Sequence, residues 1–140
     1  MKKKLRIAAV DYGRKRIGLA VSDANGTIAL PFGVVPAGRN LQGTVQNVLH
    51  AFSSHLPEIK TFIVGLPLLL NGTVGEMAEE VKRFASLLQE QSQIEVELID
   101  ERLSSKAVER VQIELGKKRK ERKETSDEMA ATLLLQTYLR

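Results

Sequence analysis

Hydrophobic residues change their period at Leu41, and that change limits the folds open to this chain of 140 residues. Before it, three consecutive segments carry strand patterns; after it, helix-length and strand-length segments alternate. Leu5 to Val10 is apolar enough for a buried strand and ends at Asp11-Tyr12-Gly13. Ile17 to Ser22 reads as a second strand, Asp23-Ala-Asn-Gly26 as a turn, and Thr27 to Val35 as a third strand. These three are expected to form an antiparallel meander. Pro31 and Pro36 suit its edge, where a missing N–H faces no neighbour.

Beyond the change, Leu41, Val45, Val48, Leu49, Phe52 and Leu56 fall on one helical face, and Pro57 is expected to stop that helix. Thr61 to Pro67 is a continuous apolar run of the kind buried on both faces of a sheet. Thr73 and Glu76 have the spacing of a capping box, ahead of a helix with Met77, Val81, Phe84 and Leu88 inward. Ile94 to Ile99 gives a fifth strand with Ile94, Val96 and Leu98 on one face. Ser104 or Ser105 then caps a helix carrying Val108, Val111 and Leu115, which Gly116 ends. Thr125-Ser-Asp-Glu128 reads as a second capping box, before a helix from about Ser126 to Leu139. Strands four and five are each reached through a helix, so right-handed crossovers make them parallel to strand one. The expected fold class is α/β, a single domain over residues 1–140. Its mixed five-stranded sheet combines a three-strand antiparallel meander with two parallel strands and has helices on both faces.

Composition narrows the chemistry. Without cysteine there is no disulfide framework, thiolate nucleophile or thiolate zinc site. No apolar run approaches the ~18 residues of a membrane span, and the basic N-terminus lacks the apolar stretch and cleavage region of a signal peptide. A reducing cytoplasm is the expected setting. Net charge is only +4, yet Arg102 to Lys123 holds nine Lys or Arg against three Glu, a local +6 that leaves −2 for the remainder. Its densest part, Lys117-Lys118-Arg119-Lys120-Glu121-Arg122-Lys123, reads either as a solvated loop or as a contact to a phosphate backbone.

Asp11 ends the first strand and Asp100-Glu101 the fifth, so parallel strands bring these carboxylates to one edge of the sheet, where open α/β folds place their sites. The second capping box sets Asp127 in the first turn of the last helix, a third acid for that edge. Each has a plainer role available: turn former for Asp11, ion pair with Arg102 for Glu101, helix-dipole partner for Asp127. Converging acids need a cation, and Mg²⁺ or Mn²⁺ suits oxygen ligands and substrate phosphates. Acids for a metal beside bases for a phosphate backbone are the parts of a metal-dependent phosphodiesterase. His50 and His55, five apart, do not form a metal pair, Ser104 and Ser105 lack a base, and no Gly-Lys-Ser/Thr follows Gly65 to make a P-loop.

Four stretches together carry a family resemblance. Asp11-Tyr-Gly-Arg-Lys-Arg-Ile-Gly18 with Leu-Ala-Val-Ser-Asp23, Gly65-Leu-Pro67 with Asn71-Gly72-Thr, Asp100-Glu-Arg-Leu-Ser-Ser105, and Asp127-Glu-Met-Ala-Ala131 resemble the motifs of the YqgF (RuvX) family, in order and over nearly the whole chain. The first stretch also resembles the phosphate-loop hairpin of actin-like kinases, whose two lobes this length excludes. The resemblance implies a ribonuclease H-like fold and a cytoplasmic bacterial protein that processes the 5′ end of precursor 16S ribosomal RNA. The family is described as Holliday junction resolvases too. Its acids fall on Asp11, Glu101 and Asp127, and Arg16 and Arg102 also match. Leu69 and Asn71 stand where the family's loop commonly has Asn and Asp, a departure that bears on that loop's substrate contacts and leaves the three acids untouched.

The expectation is thus a metal-dependent endonuclease for structured RNA. Asp11 would bridge two Mg²⁺ or Mn²⁺ ions, with Glu101 and Asp127 each completing one coordination sphere. Arg16, Arg102, Lys117, Lys118, Arg119 and Lys120 would hold backbone phosphates. With four Phe and two Tyr, base-stacking platforms are few. The alternatives are a resolvase acting on branched DNA and a non-catalytic module binding RNA or a pre-ribosomal particle; either a monomer or a homodimer is compatible.

Overall fold

The computed structural model describes residues 4–67, 75–100 and 119–139, with residues 119–128 as backbone only. Five strands form one sheet: β1 (Arg6–Asp11), β2 (Arg16–Ser22), β3 (Ala29–Pro36), β4 (Ile59–Leu66) and β5 (Glu95–Asp100). Their order is β3-β2-β1-β4-β5. β2 pairs antiparallel with both β1 and β3, whereas β4 runs parallel to β1 and β5 parallel to β4. The mixed sheet read from the sequence is the one observed.

β1 takes the centre because it tolerates burial on both faces. Ala8, Ala9 and Val10 are wholly inaccessible to solvent. Pleating sends Ala8 and Val10 to one face, where they meet Leu19, Val21, Phe62 and Val64 beneath two helices, α1 (Leu41–Ala51) and α2 (Glu76–Ser92). Val45, Val48 and Phe52 from the α1 segment, and Val81, Phe84 and Leu88 from α2, close this layer. Ile7 and Ala9 go to the other face with Ala20 and Ile63, beneath Ala131, Leu134 and Leu135 of α3 (Arg119–Leu139). Each fully buried large side chain contributes roughly 1.5–3 kcal/mol.

Pro31 lies within β3, the sheet edge, as its missing donor requires. The β2–β3 register skips Phe32, pairing Leu19 with Gly33 and Ala20 with Pro31, and Gly33 takes a φ of 113° that L side chains avoid. The turn before β3 is tied by Asp23, whose carboxylate accepts from the Thr27 and Ile28 amides at 2.7 and 2.9 Å.

Three boundaries differ from expectation. α1 ends at Ala51, well before Pro57: Phe52 caps it while burying its ring, and Pro57 sits in a separate 3-10 turn, Leu56–Glu58. Ser53, Ser54 and His55 are weak helix formers, so the chain can turn there towards β4. Glu76 is the first residue of α2 and Gly75 its cap, whereas a capping box needs Glu at the third helical position; Thr73 lies outside the described residues. α3 starts at Arg119, so Thr125 and Ser126 lie inside the helix instead of capping it. Lys, Arg and Glu are strong helix formers, and over residues 119–124 that propensity outweighs the local capping signal. The helix expected after Ser104 and Ser105 lies outside the described residues.

Gly13 sits where the β1–β2 hairpin turns, and a Cβ there would collide with the backbone carbonyl oxygen of Arg16. Gly13→Ala should therefore destabilise the protein by about 1–3 kcal/mol. Chemical denaturation should show a lower midpoint with an unchanged slope.

Candidate active-site edge

β1, β4 and β5 are parallel, so their carboxyl ends, Asp11, Leu66 and Asp100, share one edge of the sheet. Asp11 pairs with Gly18 across β2. Val10 pairs with Val64, so one further step sets Asp11 beside Gly65, which pairs in turn with Ile99. In this row the half-buried Asp11 has glycine on both sides, so neither directly paired position carries a side chain. Both glycines belong to the motifs singled out from the sequence, but their shared row with Asp11 emerges only from strand register.

Alternation along the strands sorts the other groups. Asp11 shares the α3 face with Ala9 and Ala20. Arg16, half-buried and two residues before Gly18 on β2, belongs to that face too. Asp100, in step with Val96 and opposite Leu66, belongs to the α1/α2 face. Asp11, Arg16 and Asp100 all have interaction partners within the fold.

Of the remaining expected site residues, Glu101, Arg102, Lys117 and Lys118 lie outside the described residues. Arg119, Lys120 and Asp127 belong to α3 through their backbone. Asp127 is not in the first turn of its helix, as the capping box predicted, but eight residues beyond Arg119. It precedes Ala131, which packs against the sheet with Leu134 and Leu135, by four residues. Among the described residues no three His, Cys, Asp or Glu side chains form a metal-binding group. Of the three expected acids only Asp11 has a described side chain. The histidines take no part: His50 is exposed, and His55 stands edge-on to Phe32, 3.7 Å from Glu58.

A second feature of this edge had no sequence signal. On the α1/α2 face a cleft of about 280 Å³ opens between the β1–β2 hairpin, the segment entering α1, and α2; its polar lining includes Tyr12, Arg14, Arg39, Asn40, Glu80 and Arg83. The Tyr12 ring packs on Phe84 at 4.9 Å between centroids, and its hydroxyl donates to Glu80. Arg14 Nε lies 3.3 Å from the other carboxylate oxygen of Glu80. The segment carrying Arg39 is held by a small network. Thr44 Oγ1 accepts from the Gly38 amide at 2.9 Å and donates to the Asn40 carbonyl at 3.1 Å, while Asn40 Oδ1 caps α1 by accepting from the Gly43 amide at 2.8 Å. A Cβ on Gly38 would lie 2.6 Å from the Gly43 carbonyl carbon, so the two backbones pack directly.

Burial and, secondarily, the Glu80 carboxylate push Tyr12 up to about 12. The Tyr12 hydroxyl and then Arg14 keep Glu80 below its usual range, against its own desolvation. Burial, followed by a hydrogen bond to Glu97, raises Tyr138 on α3.

A mixed β3-β2-β1-β4-β5 sheet with helices on both faces and an acid ending its central strand defines the ribonuclease H-like class of α/β proteins. The model of the family described as "RuvX: Holliday junction resolvase" matches residues 5–140. The chain belongs to that family. A relative from Protochlamydia amoebophila, named "Putative pre-16S rRNA nuclease", is 39% identical over 138 residues, spanning 96% of this chain and 92% of its own length. One of the same name from Oceanobacillus iheyensis is 40% identical over 136 residues, covering 96% and 98%. Among solved structures, Thermus thermophilus RuvC in complex with a Holliday junction substrate aligns over 93% of this chain and 91% of its own, with a TM-score of 0.51 and 18% identity, a likeness of fold.

Tyrosine absorbance followed through an alkaline titration should show neither Tyr12 nor Tyr138 ionising at the ordinary value of 10.0. Tyr12 should titrate near 12, and Glu80→Gln should bring it only part of the way back, because burial is the larger cause. A folded-state value above the unfolded one makes this contribution to stability complete below pH 10, lost as pH rises through about 12.

Proposed function

We propose that this protein is a divalent-metal-dependent endonuclease that hydrolyses phosphodiesters in structured RNA, processing the 5′ end of precursor 16S ribosomal RNA. The observation carrying this reading is Asp11: a carboxylate ending the central strand, between two glycines, in a chain whose relatives bear a pre-16S rRNA nuclease name.

Asp11 belongs to the most constrained strand of the sheet, paired on both edges and buried on both faces, so its carboxylate starts from a fixed backbone. Asp11, Glu101 and Asp127 would together hold Mg²⁺ or Mn²⁺, an all-oxygen donor set that suits a hard cation. Asp100 belongs to the opposite face from Asp11, which favours its sequence neighbour Glu101 as the second acid. Ions held there would supply a water of lowered pKa and neutralise charge developing on the leaving oxygen. In the hydrolysis, water oxygen bonds to phosphorus as the bond to the 3′ oxygen breaks, giving a 3′-hydroxyl and a 5′-phosphate. Arg16, on the Asp11 face, would hold a phosphate of the strand being cut, and Arg102 with the run from Lys117 to Lys120 would hold more distant ones.

The family description supports a second reading, in which the same acids cut branched DNA. A resolvase cuts two strands symmetrically, so that reading requires a dimer on four-way junctions in sedimentation. A third, a non-catalytic module for RNA or a pre-ribosomal particle, requires salt-sensitive binding and no metal-dependent cleavage.

Asp11→Asn should slow cleavage of a precursor 16S 5′-end RNA on the order of 10²–10³-fold at matched Mg²⁺ or Mn²⁺, the equivalent of several kcal/mol. Binding to the same RNA should persist. An Asp11→Asn protein that cuts as fast as wild type would remove the assignment, and faster cutting of a four-way DNA junction than of RNA would transfer it to branched DNA.

A further inference from the structure

We infer that the cleft on the α1/α2 face is a second phosphate-binding site, one that seats a phosphate of the same nucleic-acid strand beside the group held at Asp11. The inference rests on the nuclease reading for its substrate and on the cleft alone for its chemistry.

Three guanidinium groups line the cleft from three separate segments: Arg14 from the β1–β2 hairpin, Arg39 from the segment entering α1, and Arg83 from α2. Among the described residues Glu80 is the only carboxylate in the lining, so these side chains bring three positive charges against one negative, a net +2. That carboxylate is already engaged by Arg14 and Tyr12. The Arg14 side chain stays 60% exposed, Arg39 and Arg83 are exposed, and Arg39 forms no ion pair among the described residues. Cations gathered around one concavity repel each other unless an anion enters, and the planar fork of Arg matches phosphate oxygens in pairs. The Thr44 and Asn40 network that holds the Arg39 segment limits the ordering needed on binding.

Phosphate fits better than a base or a sugar. Among the described residues the one aromatic ring in the lining is Tyr12, which packs tilted at 43° against Phe84 and ties its hydroxyl to Glu80, a poor platform for base stacking. Position supplies the link to Asp11. Tyr12 follows Asp11 directly, with Cα atoms ~3.8 Å apart, while pleating sends the two side chains to opposite faces. A strand crossing the carboxyl end of β1 would therefore meet Asp11 and Arg16 on one side and the arginine cleft on the other. The phosphate could be an internal phosphodiester or a terminal 5′-phosphate; both present the same oxygens.

The test measures binding of a structured RNA as a function of salt in an Asp11→Asn background, comparing that protein with R39Q/R83Q added. Loss of two phosphate-facing charges should flatten the slope of log K against log salt by roughly 1.4–1.8, at ~0.7–0.9 per charge. Affinity near 0.1 M salt should fall about 10-fold or more. R39K/R83K, which keeps the charges, should retain most of the slope. If the double variant does not fold, R39Q and R83Q singly should each flatten it by roughly half as much. Repeating the comparison with RNA bearing a 5′-phosphate or a 5′-hydroxyl separates the sources: a difference seen only with the 5′-phosphate assigns the cleft to the terminus, and one seen with both assigns it to an internal phosphodiester. An unchanged slope and affinity in folded R39Q/R83Q would overturn the inference. Undiminished cleavage by Asp11→Asn alone would overturn the nuclease reading and leave the salt result standing.

Discussion

β1 must satisfy backbone hydrogen bonds on both edges while burying side chains on both faces, and the remaining elements are arranged around that requirement. Its partners differ in direction, β2 antiparallel through a short hairpin and β4 parallel after a helical crossover. Ala8 and Ala9 at its centre are small enough for helical layers to pack on either side. A bulky residue at either position would push one layer away and weaken the other by the same displacement. The strand's end is correspondingly well placed, and Asp11 stands there.

That central strand divides the edge into two chemistries. Even positions continue the Ala8–Val10 face to Tyr12 and the arginine cleft, and odd positions continue the Ile7–Ala9 face to Asp11, with Arg16 joining it from β2. Asp11 and the arginine cleft are thereby set on opposite faces, one pleat apart, while Arg16 shares the Asp11 face.

Much of this was legible in the residues. Period-2 and period-3.6 patterning gave every described strand and α-helix its type, because burial on one or two faces leaves a direct mark on which positions are apolar. Proline marked the edge strand through its missing donor. Helix starts were less legible. The capping signals at Thr73 and Thr125 were outweighed, at Gly75 by a cap with no side chain and at Arg119 by a run of strong helix formers that a charge count treats as solvated loop. The end of α1 was misjudged for a related reason: Pro57 forbids a helix but does not require one to reach it.

The sequence by itself determined the order and type of elements, the mixed sheet, the acid ending the first strand and the family to which the chain belongs. Those follow from local periodicity and from motifs of adjacent residues. Only the tertiary structure decided that Gly18 and Gly65 flank Asp11, that Asp100 belongs to the other face, and that Arg14, Arg39 and Arg83 line one cleft. Register and pleat parity set which residues share a face, and neither quantity exists until strands are paired. The three arginines lie 25 and 44 positions apart along the chain, and only the packing of α1 and α2 on one side of the sheet brings them together.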